Sequence, residues 1–191
     1  MTKGRLEAFS DGVIAILITI MVLELKVPHE PDLAALRGVL PVLAAYLLSF
    51  VFVGIYWNNH HHMLHITTRI NGKILWANLH LLFWLSLVPF GTAWHGEHPS
   101  ATAPAAIYGV IFLCAGVAWL ILQSTIIADQ GPGSPLAAAV GSDLKGKLSA
   151  VLYSTAIAAA FVRPWISDVL YVVVALMWLV PDRRIESKLK E

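Results

Sequence analysis

Apolar residues in this chain fall into long runs separated by short polar, proline or glycine segments. A helix needs about 20 mostly apolar residues to cross the hydrocarbon core of a bilayer. The pattern predicts six membrane helices, at about residues 7–27, 33–64, 73–95, 103–128, 147–162 and 166–181. The expected fold class is therefore all-α, with a single six-helix transmembrane domain over residues 1–191.

The last two runs are less regular than the first four. The fifth run is short, and Arg163-Pro164 separates it from the sixth. Because proline disfavours helical geometry at the residue before it, the two runs could form one broken hairpin or two short spans. The loop 130–135, with its glycines and prolines, is expected to be flexible.

Composition strengthens the membrane interpretation. Hydrophobic residues make up 58% of the chain and charged residues 13%, against roughly 25% in soluble domains. The net charge of +1 gives no basis for nucleic-acid binding, and the single cysteine cannot form an internal disulfide. Asp11 precedes the first run, which ends at Glu24 and Lys26 without a small-residue cleavage site. We therefore expect a membrane helix of the mature protein and not a cleaved leader.

The lysines and arginines predict the orientation, since cytosolic loops carry an excess of them. Six spans with a cytosolic N-terminus put ten basic residues inside and three outside. The inner residues are Lys3, Arg5, Arg69, Lys73, Lys145, Lys147, Arg183, Arg184, Lys188 and Lys190, and the outer ones are Lys26, Arg37 and Arg163. Five spans would put the basic C-terminus outside. The prediction is a multi-pass protein of the cell membrane with both termini in the cytosol.

This topology brings polar groups from three helices to the cytosolic face. These groups are residues 5–11 at the start of the first helix, residues 56–65 at the end of the second helix, and Trp76, Asn78 and His80 in the third helix. Polar side chains near hydrocarbon are costly unless they pair, so one interpretation is a buried latch that fixes the first helix. The other is that these charges are interfacial, with Asp11 favoured by the helix dipole.

One face of the first helix carries a narrow stripe after Asp11. Gly12, Ile16, Thr19 or Ile20, and Leu23 recur at helical spacing. Thr19 could simply bond the carbonyl one turn earlier in its own helix. Alternatively, the stripe could face a pore, with aliphatic side chains as a hydrophobic constriction and the threonine hydroxyl as an oxygen ligand for a cation.

Several motifs resemble one known family. Arg5-x-x-x-Phe9-Ser10-Asp11 resembles the RxxxFSD signature of the lysosomal and endosomal potassium channels (transmembrane protein 175 family), in its bacterial branch. Trp57-x-x-His60-His61 resembles the end of the family's second helix. The third helix of the family is resembled by Trp76, Asn78 and the motif Leu87-x-Pro89-Phe90-x-Thr92. The resemblance covers roughly residues 5–95.

The resemblance implies a homotetrameric, potassium-permeable cation channel in the bacterial plasma membrane, modestly selective among monovalent cations. It implies no cofactor and no catalytic activity. The first helix would line the pore, with a constriction at Ile16, a hydroxyl layer at Thr19 and further apolar positions at Ile20 and Leu23. The chain contains no TVGYG-type carbonyl filter. The resemblance also implies a network that holds helices one to three together. It consists of Arg5, Phe9, Ser10, Asp11, Trp57, His60, His61, Trp76 and Asn78. Because residues 60–62 are all histidines, the sequence leaves open which of them joins this network.

Two other functions compete with the channel. His61-His62-x-x-His65 matches a histidine box of membrane di-iron enzymes, but the other histidines are scattered along the chain. A proton-coupled or metal transporter could use Asp11 and the cluster 60–65 as a relay. It predicts that Asp11→Asn abolishes function, whereas in a channel this change should mainly harm folding or assembly.

Overall fold

The computed structural model describes residues 2–179, and every regular element in that range is helical. The α-helices are α1 (Lys3–Met21), α2 (Leu40–His65), α3 (Gly72–Ser86), α4 (Val88–Glu97), α5 (Thr102–Gln130), α6 (Pro135–Val140), α7 (Leu144–Ala160) and α8 (Pro164–Leu179). Two 3-10 helices cover Val22–Glu24 and Leu33–Gly38. The predicted all-α fold class is confirmed.

Four segments of the described chain are long and apolar enough to cross a membrane. They are Lys3–Glu24, Leu40–His65, Gly72–Glu97 and Thr102–Gln130, and they match the first four predicted runs. Helix α8 is apolar but shorter, and α7 has 17 residues. The predicted end of the sixth helix and the basic residues Arg183, Arg184, Lys188 and Lys190 lie outside the described residues.

The first two helices begin and end at other residues than predicted. Helix α1 starts at Lys3, and its last turn tightens into a 3-10 helix that ends at Glu24, not at residue 27. Leu25 is already extended. The second run opens with a 3-10 helix, whose first turn is capped by the Asp32 carboxylate accepting from Ala35 N–H at 2.9 Å. The α-helical part starts only at Leu40.

The third run is broken rather than continuous. Helix α3 ends at Ser86 and α4 begins at Val88, with Leu87 between them. Pro89 has no backbone N–H to donate and is tolerated only in the first turn of a helix, so a new helix begins just before it. The predicted single helix 73–95 is therefore two helices, which together form one span of 26 residues.

The chain after α5 contains a short helix that was not predicted. Gly131 ends α5 with a positive φ of 90°, and Ser134 caps α6 by accepting from Ala137 N–H. Helix α6 buries Leu136 and Ala139, so the expected flexible loop leads directly into a packed helix. Helices α7 and α8 then form an antiparallel hairpin, in which Trp178 at the end of α8 donates to Ser149 near the start of α7.

Helix α5 forms the centre of the bundle and packs against α3, α4, α7 and α8. Its Phe112 lies 4.4 Å from Phe52 and 4.9 Å from Tyr108, measured between ring centroids. The Tyr171 side chain packs closely against the α5 backbone at Gly109, because a β-carbon at this position would collide with the tyrosine hydroxyl. Helix α1 lies at one side, where it packs against α2, α3 and α4 and leaves its other face open.

Candidate functional site

Asn78 connects three helices inside the bundle. Its Oδ1 accepts from His60 Nε2 at 2.7 Å, and its Nδ2 donates to Ser10 Oγ at 3.0 Å. All three side chains are at most 1% exposed. The amide thus ties α1 and α2 to α3 through one donor and one acceptor, and His60 is the histidine of the run that joins this network.

A second hydrogen bond joins α1 to α2 one residue further along. Trp57 Nε1 donates to Asp11 Oδ1 at 3.0 Å. The Trp57 ring also stacks on His61, whose ring in turn stacks on His65, with centroid separations of 6.2 and 6.1 Å. His61 therefore contributes ring packing on the exposed side of α2, while the hydrogen-bonding role falls to its neighbour.

The remaining predicted members of the network lie apart from this cluster. Arg5, Phe9 and Trp76 are exposed, with Trp76 at 75%. His80, which was expected at the same membrane face but not in the network, is exposed and accepts from Trp84 Nε1 at 3.0 Å on its own helix. Within one copy of the chain, the structure therefore brings together Ser10, Asp11, Trp57, His60 and Asn78, together with the stacked ring of His61.

Helix α1 has two distinct faces. Leu6, Ser10, Ile14, Leu17 and Met21 are buried against the neighbouring helices. The predicted pore stripe lies on the opposite face, where Ile16 is 56% exposed, Ile20 42% and Leu23 77%, with Gly12 and Thr19 also exposed. The sequence spacing therefore identified the face that this chain leaves uncovered.

Thr19 makes the local bond that its helical position allows. Its hydroxyl donates to the carbonyl of Ile16 at 2.9 Å and approaches that of Ala15 at 3.3 Å. A hydroxyl carries one proton and two acceptor lone pairs. Because the proton points back along the helix, the oxygen keeps its acceptor capacity toward the open face, and the local bond is compatible with cation coordination.

A polar chain at the other end of the bundle was not predicted as a unit. Ser49, Thr92 and Tyr108 share buried hydroxyl contacts of 2.6 Å between Thr92 and Ser49 and 2.9 Å between Ser49 and Tyr108. Thr92 also lies 3.8 Å from the sulfur of Met21 on α1. These contacts link residues 43 or more positions apart, so helical periodicity gives no signal for them.

Tyr108 extends this chain to buried His95, which is paired with the half-buried Asp168. Its ring stacks on His95 at 5.3 Å, and His95 Nε2 lies 2.9 Å from Asp168 Oδ1 of α8. Polar residues at membrane depth are expected to pair with one another. The sequence separation of His95 and Asp168 concealed this pair, since a lone histidine gives no sign of its partner.

Electrostatic contacts also anchor both ends of the bundle. Arg69 donates to the Asp129 carboxylate at 2.8 Å, and Asn71 donates to the other carboxylate oxygen at 2.8 Å, which fixes the α2–α3 loop to the end of α5. At the opposite end, Lys26 Nζ lies 2.7 Å from Glu97 Oε1. This hydrogen bond raises the pKa of Lys26 and connects the segment after α1 to the end of α4.

The histidine run forms no chelating group of the kind that a histidine-box enzyme needs. Across residues 2–179, no set of three or more His, Cys, Asp or Glu side chains is arranged to hold a metal ion. His60 is engaged with Asn78, while His61 and His65 stack on each other. The run is thus divided between a buried hydrogen bond and surface ring packing.

Comparison with known proteins decides the family. Residues 5–89 match the family described as endosomal/lysosomal potassium channel TMEM175. A protein named potassium channel from Chryseobacterium sp. (strain P1-3) is 53% identical over 191 residues, which is 100% of both chains. This chain belongs to the TMEM175 family. It is thus related to ion channels and is not an enzyme.

A solved TMEM175 structure has the same fold. The crystal structure of a lysosomal potassium-selective channel TMEM175 homolog from Chamaesiphon minutus superposes with a TM-score of 0.79 at 32% identity, covering 93% of this chain and 96% of that one. The TMEM175 of Danio rerio, named an endosomal/lysosomal proton channel, is 40% identical over 87 residues, which is 38% of this chain and 17% of that protein. The TMEM175 match at 5–89 contains α1 from Arg5 onward and every residue of the network described above.

Proposed function

We propose that this chain forms a potassium-permeable cation channel, in which α1 from each of four copies surrounds a central pore. The observation that carries the proposal is the open face of α1. A TMEM175 helix that packs one face against α2, α3 and α4 presents Ile16, Thr19, Ile20 and Leu23 on the other. Four such faces around an axis would enclose a pathway that a single copy cannot form.

The chemistry of that face suits a wide and weakly selective pore. Rings of Ile16, Ile20 and Leu23 would form apolar constrictions, which gate by losing their water. A ring of Thr19 hydroxyls between them would offer oxygen ligands that partly replace the hydration shell of potassium. Since the chain has no carbonyl filter sequence, selectivity over other monovalent cations would be modest.

The network acts as scaffold in this proposal. Ser10, Asp11, Trp57, His60 and Asn78 lie on the buried side of α1 or beside it, where their hydrogen bonds fix its rotation relative to α2 and α3. They would hold the pore face toward the axis without touching the ion. The exposed members Arg5, Phe9 and Trp76 would complete the same function through contacts with a neighbouring copy.

The proposed setting is the plasma membrane of a bacterium. Six spans, with α7 and α8 as the two short ones, would place both termini in the cytosol, as the distribution of lysine and arginine favours. The cytosolic end of the bundle would then be the one at which the Lys3 ammonium donates to the His65 carbonyl, at 2.6 Å. The expected partners are monovalent cations, lipid and three further copies of the chain, without cofactor or nucleic acid.

The test is a reversal-potential measurement on purified protein in liposomes, under opposed potassium and sodium gradients. Wild type should give a potassium-favouring potential, and Thr19→Val should move it toward zero because the oxygen ligand is lost. Thr155→Val is the matched control, since Thr155 is exposed on α7 and makes the same local bond, to the Val151 carbonyl at 2.8 Å. The absence of passive flux in wild type would refute the proposal.

The mass of the purified protein tests the assembly separately. Light scattering in detergent should give a protein mass about four times that of the 20.9 kDa chain. A monomer that still conducts potassium would contradict the central pore.

A proton-conducting channel is the second candidate, since the zebrafish relative is named an endosomal/lysosomal proton channel. A pH gradient replaces the potassium gradient in the same liposomes. If protons cross the membrane and potassium does not, potassium is the wrong ion. Proton flux through the Asp11→Asn variant then shows whether the Asp11 carboxylate relays the protons.

A further inference from the structure

A cleft opens between α2, α5, α7 and α8, away from the face of α1. Its walls are almost entirely apolar, with Phe52, Leu113, Val117, Trp119 and Tyr153 among them. Small residues make the space available, since Gly116 and Ala150 lie on facing helices. A β-carbon added at Gly116 would meet only the Tyr56 hydroxyl, at 3.9 Å.

The positions of the lining residues along their helices show how deep the cleft extends into the bundle. Asn59, Gly146 and Trp178 come from the end of α2, the start of α7 and the end of α8, which meet at the end of the bundle that carries Lys3. Phe52 and Leu113 come from the middle of α2 and α5. The cleft therefore runs from the cytosolic interface toward the membrane centre, as an acyl chain does.

A lysine lies beside the end of the cleft that is formed by Trp178. The Lys145 ammonium lies over the Trp178 ring, 5.8 Å from its centroid. Trp178 Nε1 donates to Ser149 Oγ at 2.8 Å, so the indole is held in place as part of the wall. Tryptophan and lysine are the residues that mark the headgroup level of a bilayer, where a lysine attracts anionic lipid.

We propose that this cleft is a binding site for an anionic phospholipid of the cytosolic leaflet. One acyl chain fills the space between Phe52 and Tyr153, and the phosphate lies beside Lys145. Water is a poor occupant because a buried water needs two to four polar partners, and the walls offer few. The site rests on the proposed orientation, in which the end of the bundle that carries Lys3 faces the cytosol, but it does not depend on which ion the channel conducts.

Native mass spectrometry of the full-length protein in detergent tests the site, with added phosphatidylglycerol or phosphatidylcholine. Wild type should retain phosphatidylglycerol at concentrations about fivefold lower than phosphatidylcholine, the effect expected for one interfacial lysine. Gly116→Leu should abolish retention by filling the cleft, and Lys145→Gln should reduce phosphatidylglycerol to the level of phosphatidylcholine.

Matched controls separate the site from general effects. Gly54→Leu makes the same change on α2, where an added β-carbon meets nothing within 4 Å, and Lys147→Gln removes the exposed charge two residues away. Both should retain the lipid. Ala150→Leu fills the cleft from α7 and replaces Gly116→Leu if that variant does not fold.

Two results would overturn the proposal. One is equal retention of the two lipids by wild type, and the other is undiminished retention by the filled variants. Loss of the tetramer in Gly116→Leu, with no lipid on wild type, would show that another copy covers the cleft. Potassium flux of wild type in liposomes, measured separately, keeps a failure of this site distinct from a failure of the channel proposal.

Discussion

The Asn78 side chain is satisfied on both sides by buried partners, and this makes it hard to replace. Its amide donates to Ser10 and accepts from His60, and neither partner is exposed to water. Removing one partner of a buried hydrogen bond leaves the other unsatisfied, which costs about 1–3 kcal/mol for each group. The two hydrogen bonds of Asn78 connect α3 to α1 and to α2, so losing both weakens the packing of α1 and α2 against α3.

Asn78→Leu should therefore lower the free energy of unfolding by about 2–4 kcal/mol, because it leaves both Ser10 and His60 without a partner. Reversible unfolding in mixed detergent micelles measures this change. Asn58→Ala, at an exposed position of α2, is the control and should stay within about 0.5 kcal/mol of wild type. Equal stabilities of the two variants would show that the network does not hold the helices.

Asp11 distinguishes a scaffold from a proton relay. Asn keeps an oxygen that can accept from Trp57 Nε1 but cannot carry a proton. Asp11→Asn should cost about 1 kcal/mol of stability, because a charge-assisted hydrogen bond becomes a neutral one. Potassium flux per folded protein should stay close to wild type, as liposome flux normalised to the amount of folded protein will show. Complete loss of flux in a well-folded variant would instead favour the relay.

Helix α1 illustrates what periodicity could and could not predict. The stripe from Gly12 to Leu23 was visible in the sequence because helical spacing alone sets which residues share a face. The helix ends were less predictable, since the 3-10 turn at Val22–Glu24 and the break at Leu87 depend on local backbone hydrogen bonding. Contacts such as Arg69–Asp129 and His95–Asp168 depend on how distant helices pack, which single-sequence patterns do not encode.

The two faces of α1 should differ in their access to water. In a Cys114→Ala background, Leu23→Cys should react with a charged thiol reagent and lose flux, whereas Leu17→Cys, on the buried face, should not. The reaction requires a thiolate, which forms in a water-filled pore and not in lipid. Flux before and after the reagent measures the effect. An inert Leu23→Cys would mean that the open face of α1 contacts lipid.

In the whole molecule, the polar contacts and the open apolar face have separate roles. The hydrogen-bond network and the ion pairs lie within one copy of the chain, where they orient the helices. The exposed stripe has no partner helix within the described part of the same copy, so its function depends on the assembly. The family match at residues 5–89 covers most of α1 and all of α2 and α3, and the structural match covers 93% of this chain.

Potassium flux through liposomes containing Ile16→Asn tests the central claim most directly. If Ile16 forms the constriction, an amide at this position hydrates it, and flux should rise severalfold over wild type. Ile107→Asn makes the same change at an exposed position of α5 and should leave flux unchanged. Unaltered flux in a folded, tetrameric Ile16→Asn variant would contradict the placement of the pore on α1.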